Sequence, residues 1–194
     1  MNATPEPNSR VVLRRVAAED QEEFTGLARA SVDLHRSWIY APATAAEFAT
    51  YLARFDQVTA VGLLVRLRDT GAIAGLVNIS QIVRGPYQRG VLGYAAFAPT
   101  AGHGYMSEGL GLALRYAFGP LGLRRLEADI QPGNETSLKL VKRLGFRQEG
   151  YSPGLIQIEG IWRDHERWAI TSDTIGHVPP PPPGPFPGEP LPYV

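Results

Sequence analysis

The sequence predicts an α/β domain, one mixed sheet with helices on both faces. Three observations carry that expectation. Apolar spacing of period two alternates with spacing of period 3.6 between residues 9 and 172. The elements open as a meander of strands and close as a strand–helix–strand unit followed by a hairpin. And 194 residues with 44% hydrophobic and 20% charged side chains suffice to bury one sizeable core.

The elements follow in order. Arg10 to Val16 (RVVLRRV) reads as a strand, and the run from Ala18 (AEDQEEFTGLARASVDL) as one helix, with Phe24, Leu27 and Ser31 at helical spacing behind acidic first-turn residues. Thr44 with Glu47 three residues on forms a capping box, and it opens a helix carrying Phe48, Leu52 and Phe55 along one face. Three strands come next, at 60–68, 72–83 and 91–97, joined by the Asp69-Thr70-Gly71 turn and the polar loop RGPYQRG. A helix from Tyr105 to Phe118 buries Met106, Leu110, Ala113, Leu114 and Ala117. Residues 125–130 form a strand, and a helix with Asn134 as N-cap ends at Gly145. Two strands around a turn at Gly160 complete the domain, placed at residues 1–176. From His177 onward the chain is so rich in proline that it can form neither helix nor sheet interior, and residues 177–194 read as an extended polyproline tail.

Composition narrows the function. Lys plus Arg equals Asp plus Glu at 19 each, which argues against nucleic acid or an anionic membrane as the main partner. There is no cysteine, so disulfides, thiolate nucleophiles and Cys-based metal sites are excluded, and the four histidines have no ligand spacing. No metal is expected. The first residues lack a basic start followed by an apolar run, and no stretch of about 18 apolar residues occurs, so a cytoplasmic location is expected.

The most informative stretch is AGHGYMSEG, residues 101–109, between a strand and a helix. It fails as a dinucleotide fingerprint, because the third glycine comes two positions late, and as a P-loop, because Leu110 and Gly111 stand where Lys and Ser or Thr are needed. Two readings remain open: a plain tight turn, or a phosphate site at a helix N-terminus.

GYMSEGLGLALRYAF after a strand, with NETSLKLVKRLGFRQEGY about thirty residues on, resembles the two diagnostic segments of the GNAT superfamily of N-acetyltransferases. Within it, NISQIVRGPYQRGVLGY, Gly104-Tyr105-Met106-x-Glu108, RLGFRQEGY and GIWRDHE resemble the Rim-type ribosomal-protein alanine N-acetyltransferases that act on ribosomal protein S5. The resemblance implies a twisted, mostly antiparallel sheet with a splayed parallel pair, and acetyl-CoA as cosubstrate. It implies that the amides from Gly102 through His103, Gly104, Tyr105 and Met106 to Ser107 hold the pyrophosphate. Ala101 stands at the loop position where the family pattern has Gln or Arg. Ala96, Phe97 and Ala98 should meet the pantetheine arm like an added strand, with an amide near Ala96 or Phe97 at the thioester carbonyl.

Amine attack on a thioester needs oxyanion donors, a proton acceptor and a proton for the departing sulfur. The resemblance puts Asn134 near the pantetheine and Ser137 at the sulfur as proton donor, although from the residues alone they are an N-cap and a first-turn serine. Where some relatives carry a glutamate base this chain has Ile156, which leaves Glu159, Asp164 or a water as candidates. In LHRSWIY, His35 and Trp38 are candidates for acceptor recognition, or else part of a lid over the core. Asp164, His165 and Glu166 alternate faces of a strand and form no triad; pairing with Arg163 and Arg167 is expected. The acceptor expected is a protein N-terminus, alternatively a small amine or an antibiotic, and a non-catalytic acyl-CoA-binding module is the competing class. A monomer or a homodimer fits equally.

Overall fold

The strand Val61–Leu67 reads VGLLVRL, and every residue from Val61 to Val65 is buried. A strand apolar on both faces must be covered on both. The computed structural model, which describes residues 9–174, shows how. Its seven strands are β1 (Val11–Arg15), β2 (Val61–Leu67), β3 (Ile73–Val83), β4 (Arg89–Ala96), β5 (Arg125–Ile130), β6 (Arg147–Ile158) and β7 (Ile161–Thr171). They form one sheet in the order β1-β2-β3-β4-β5-β7-β6, antiparallel except for the pair β4–β5.

The helices are α1 (Gln21–Ala30), α2 (Val32–His35), α3 (Ala45–Leu52), α4 (Tyr105–Phe118) and α5 (Glu135–Arg143), with 3-10 turns at Ala18–Asp20 and Ala98–Thr100. One face of the sheet packs Leu63, Val65 and Val77 against Leu110, Ala113 and Ala117 of α4 and Val141 of α5. The other packs Leu64, Ile73 and Phe97 against Phe24 of α1 and Phe48 of α3. α4 lies so close to the sheet that a Cβ on Gly109 would stand 2.5 Å from Val65 Cγ2. The expected mixed sheet with helices on both faces is therefore observed; the polyproline tail at 177–194 falls outside the described residues.

One expected element differs. The helix read from Ala18 through Leu34 is interrupted at Ser31, a fully buried residue with φ −110°. Its hydroxyl donates to Leu27 O at 2.7 Å and accepts from the amide of Ala98 at 2.8 Å. A serine that bonds back to its own helix bends it, and the bond to Ala98 holds the bend against the end of β4. As a result α2 sets off in a new direction, toward the gap described next.

β4 and β5 are paired only through Arg89–Val91 and Arg125–Glu127. Beyond Val91 the two strands part, while each keeps its outer neighbour: β4 stays on β3 as far as Ala96, and β5 stays on β7 as far as Ile130. The result is a cleft in mid-sheet, roofed by the N-terminal ends of α4 and α5.

Candidate active site in the mid-sheet cleft

A cavity of about 440 Å³ fills this cleft. α2 and the loop after it contribute His35 and Trp38, β4 contributes Tyr94 and Ala96, and the glycine loop with the start of α4 supplies Gly102, Gly104, Tyr105 and Met106. α5 closes it with Asn134 and Ser137, then Lys139 and Arg143 further down the helix. Among the described residues no aspartate or glutamate lines it, so its fixed charge is positive.

The loop explains its own glycines. Gly102 and Gly104 both adopt φ +82°, a left-handed conformation that β-branched residues avoid. Gly104 is the N-cap of α4 and has no side chain to cap with. Between Ala101, whose amide bonds Ala98 O, and Ser107, whose amide bonds Gly104 O, five consecutive amides from Gly102 to Met106 have no acceptor among the described residues. Together with the positive end of a 14-residue helix they make a concave set of donors suited to phosphate oxygens. The first-turn Glu108, which would repel an anion there, is neutralised from outside. Arg10 donates Nε to Glu108 Oε1 at 2.7 Å and Nη2 to His103 O at 3.0 Å, and its guanidinium lies 4.8 Å from the centre of the Tyr105 ring.

Of Ala96, Phe97 and Ala98, expected to meet the pantetheine arm, the structure brings only Ala96, the last residue of β4, to the cavity. The Phe97 amide is bonded to Ala74 O at 3.0 Å and its ring is fully buried against Phe24. Ala98 gives its amide to Ser31. Backbone groups of successive strand residues point to opposite edges, so the Ala96 amide faces the gap. Its carbonyl points the same way and accepts a bond from His35 Nε2 at 2.7 Å.

Across the cleft, Asn134 caps α5 by accepting the Ser137 amide at 3.1 Å. The Ser137 hydroxyl lies 2.5 Å from the hydroxyl of Tyr94, whose pKa burial pushes up to about 12. Tyr94 is thus protonated across the working range and can donate to Ser137 Oγ, which leaves the serine proton to aim elsewhere. Tyr94 was missed in the sequence. The signal was its two-residue spacing from Ala96, which puts both side chains on the α4 and α5 side of the sheet at the gap.

Other expected residues lie elsewhere. Glu159 is the exposed tip of the β6–β7 hairpin, held at φ +50°, and lines none of the cavities described here. His103 is exposed, stacks on Tyr105 with ring centres 5.7 Å apart, and its ring Nδ1 ties the loop together by bonding Ala101 O at 2.9 Å rather than facing the cavity. Asp164 and Glu166 do not pair with Arg163 and Arg167. Asp164 accepts from Tyr151 Oη at 2.5 Å and from the Gly154 amide at 2.8 Å, Glu166 accepts from Trp168 Nε1 at 3.0 Å, and Arg167 turns to Asp129 at 2.6 Å. The reason is the register: β5 sets Asp129 opposite Arg167, while Glu166 falls on the other face.

Trp38 separates the first cavity from a second of about 500 Å³, lined by Gln131, Tyr151, Trp162 and Asp164 among others. Gln131 Nε2 holds the loop by donating to Ser37 O at 2.5 Å. Among the described residues no group of three or more potential metal ligands is gathered, and no helix is long and apolar enough to cross a membrane.

Comparison with known proteins returns a consistent picture. Residues 10–147 match the model of the acetyltransferase (GNAT) domain. The chain is 38% identical over 104 residues to the ribosomal protein uS5-alanine N-acetyltransferase of Escherichia coli, a match covering 54% of each chain. The chain spans about half the length of the curated relatives it matches. Mycobacterium smegmatis RimJ in complex with CoA-disulfide superposes with a TM-score of 0.79 at 22% identity, covering 86% of this chain and 84% of that one. The spermidine N-acetyltransferase of Vibrio cholerae, solved with CoA and spermine, does so at 0.74 and 19%, covering 87% and 99%. At these identities the likeness of structure speaks for the fold alone.

Proposed function

The chain belongs to the acetyltransferase (GNAT) domain family, and from that premise we propose that it transfers an acetyl group from acetyl-CoA to a primary amine, the α-amine at a protein N-terminus. The observation that carries the reading is the run of free amides from Gly102 to Met106, which opens into the same cavity as Ser137. The amides and the start of α4 hold the pyrophosphate, and Lys139 and Arg143 add positive charge to the cavity. The open edge of β4 receives the pantetheine arm, with the Ala96 amide directed at the thioester carbonyl. Ser137, backed by Tyr94, gives the departing sulfur a proton.

The acceptor enters from the side of Trp38. An N-terminal amine with a pKa near 8 is already partly neutral at physiological pH, so it asks less of the site than a lysine near 10.4. A ribosomal protein is the acceptor suggested by the 38% identical relative, and it would be met in the cytoplasm. A small polyamine is the second reading, favoured by the second cavity, where the Asp164 carboxylate stands among Tyr151 and Trp162. Asp164 stays ionised, because the Tyr151 hydroxyl and the Gly154 amide hold its pKa below the usual carboxylate range.

The test is release of free CoA from acetyl-CoA with three sets of acceptors: peptides beginning with alanine, the same peptides blocked at the N-terminus but carrying lysine, and polyamines. Turnover confined to the free α-amine supports the proposal. Turnover of polyamines alone moves the assignment to a small amine, and tight acetyl-CoA binding with no turnover of any amine identifies a binding module instead.

A further inference from the structure

We infer that His35 is the group that takes the proton from the attacking amine, a role that rests on the acetyl-transfer reading above. Every amine that enters as an ammonium ion must lose a proton before its lone pair can attack. The cavity offers few groups able to receive it. Among the described residues that line it there is no carboxylate; Lys139 and Arg143 are cations, and the Tyr94 hydroxyl, whose pKa burial pushes up to about 12, keeps its proton. That leaves the imidazole of His35.

The tautomer of that imidazole is fixed by its surroundings. Nε2 stands 2.7 Å from Ala96 O, and a carbonyl oxygen can only accept, so Nε2 carries hydrogen. In the neutral ring Nδ1 then holds the lone pair, and no described residue hydrogen-bonds to it. The ring is kept in place by the Phe97 ring at 5.9 Å and by its position in α2, whose direction the bend at Ser31 sets. The anchor is also informative. Ala96 is the residue whose amide faces the gap, so His35 is fastened to the same peptide segment that the reading aims at the thioester. Ser137 and Tyr94 enter from α5 and β4, so the proton acceptor and the proton donor are supplied by different elements around one cavity.

The charged and titratable groups facing His35 across the cavity are Tyr94 from β4, Tyr105 from α4, and Lys139 and Arg143 from α5. On its own side Asp33 and Arg36 pair with each other at 3.0 Å, both exposed. In the step itself, one ammonium proton passes to Nδ1, the nitrogen lone pair forms the C–N bond, and the C–S bond breaks. The second nitrogen proton leaves to water, and Ser137, having given its proton to sulfur, regains one from water, so these two transfers cancel. The imidazolium then releases its proton to water, for a net release of one proton per turnover.

The test compares His35→Gln, whose amide nitrogen replaces the Nε2 donor but offers no base, with His35→Ala assayed with and without added imidazole. kcat, KM for a free-α-amine peptide, acetyl-CoA affinity and Tm are measured across pH. For the wild type kcat should rise with pH as the base loses its proton. His35→Gln should bind acetyl-CoA normally, turn over about 10²-fold more slowly at neutral pH and lose that limb of the profile. Imidazole should restore His35→Ala. A Gln variant with wild-type kcat and profile overturns the inference and reduces His35 to a clamp on Ala96, and so does an Ala variant that imidazole fails to rescue. A wild-type protein that acetylates no amine overturns the acetyl-transfer reading itself, and the role of His35 with it.

Discussion

Removing the Tyr94 hydroxyl should slow turnover about as much as removing the Ser137 hydroxyl, and removing both should slow it little further. The two oxygens stand 2.5 Å apart, and Tyr94, with its pKa pushed up to about 12, keeps a proton it can give to that bond. If Ser137 gives its proton to the departing sulfur, the charge it loses is made good by Tyr94, so the pair works as one unit. General-acid assistance is worth about 10²–10⁴-fold, and a thiolate leaves easily, so about 10²-fold is expected for Ser137→Ala or Tyr94→Phe, roughly 2.7 kcal/mol of barrier. For a shared function the double variant stays near 10²-fold, whereas independent contributions would multiply to about 10⁴-fold. Each single change also removes one hydrogen bond, about 1 kcal/mol of stability, which a modest fall in Tm reports separately. The assay is kcat at saturating peptide and acetyl-CoA, with cosubstrate affinity measured by calorimetry on the same preparations. Single variants with full kcat, or a double variant showing the product of the two losses, would refute the relay and leave Ser137 as an ordinary first-turn residue.

Gly104→Val should weaken acetyl-CoA binding at least about tenfold while the protein stays folded. A β-branched residue resists φ +82°, and its Cβ would stand 3.3 Å from Arg10 Nη2; calorimetry showing unchanged affinity in a folded variant would remove the loop from the cosubstrate site. Ser31→Ala should lower stability by about 1 kcal/mol, because the Ala98 amide loses its acceptor; a denaturation midpoint equal to wild type would count against the bend as a structural tie. Glu47 is held below its ordinary 4.5, to about 2, chiefly by the Tyr40 hydroxyl and then by the Ala43 amide. A depressed carboxylate stabilises fully above its unfolded pKa and loses that contribution as pH falls toward the folded one. The stability difference between wild type and Glu47→Gln should therefore be constant above about pH 4.5 and shrink toward pH 2. A difference that does not change over that interval would contradict the capping-box assignment.

What the sequence revealed and what it hid divide along the range of the interactions involved. The capping box at Thr44 and Glu47, the Asn134 cap and the turn at Gly160 depend on neighbours within a few residues, and each is found where it was expected. The bend at Ser31 could not be read, because the partner that holds it is Ala98, 67 positions away. The same holds for Tyr94, whose meaning depends on α5 delivering Ser137 to it, and for His35, whose orientation is fixed by a carbonyl on β4. The parting of β4 and β5 cannot be read from either strand alone, since it depends on which neighbour each one keeps; it came only from the family resemblance. For the base the sequence leaves Glu159, Asp164 or a water open, because nothing local tells where a hairpin points; the left-handed Glu159 at the hairpin tip lines neither cavity.

The clasp of Arg10 on Glu108 joins residues 98 positions apart, and through it the start of the first described strand holds the loop proposed to receive the cosubstrate. Among the described residues β1 is an edge strand with β2 as its single neighbour, so its pairing is of the kind that opens locally. Each opening withdraws Arg10, leaves Glu108 uncompensated beside the anion, and frees His103 O. Linkage is reciprocal: whatever an ordered β1 adds to cosubstrate affinity, bound cosubstrate returns as protection of β1. The far edge of the sheet and the phosphate cradle therefore fray or hold together. In a growing polypeptide Arg10 is made 98 residues before the carboxylate it clasps, so the tie between this edge of the sheet and the loop closes only after Glu108 has been synthesised.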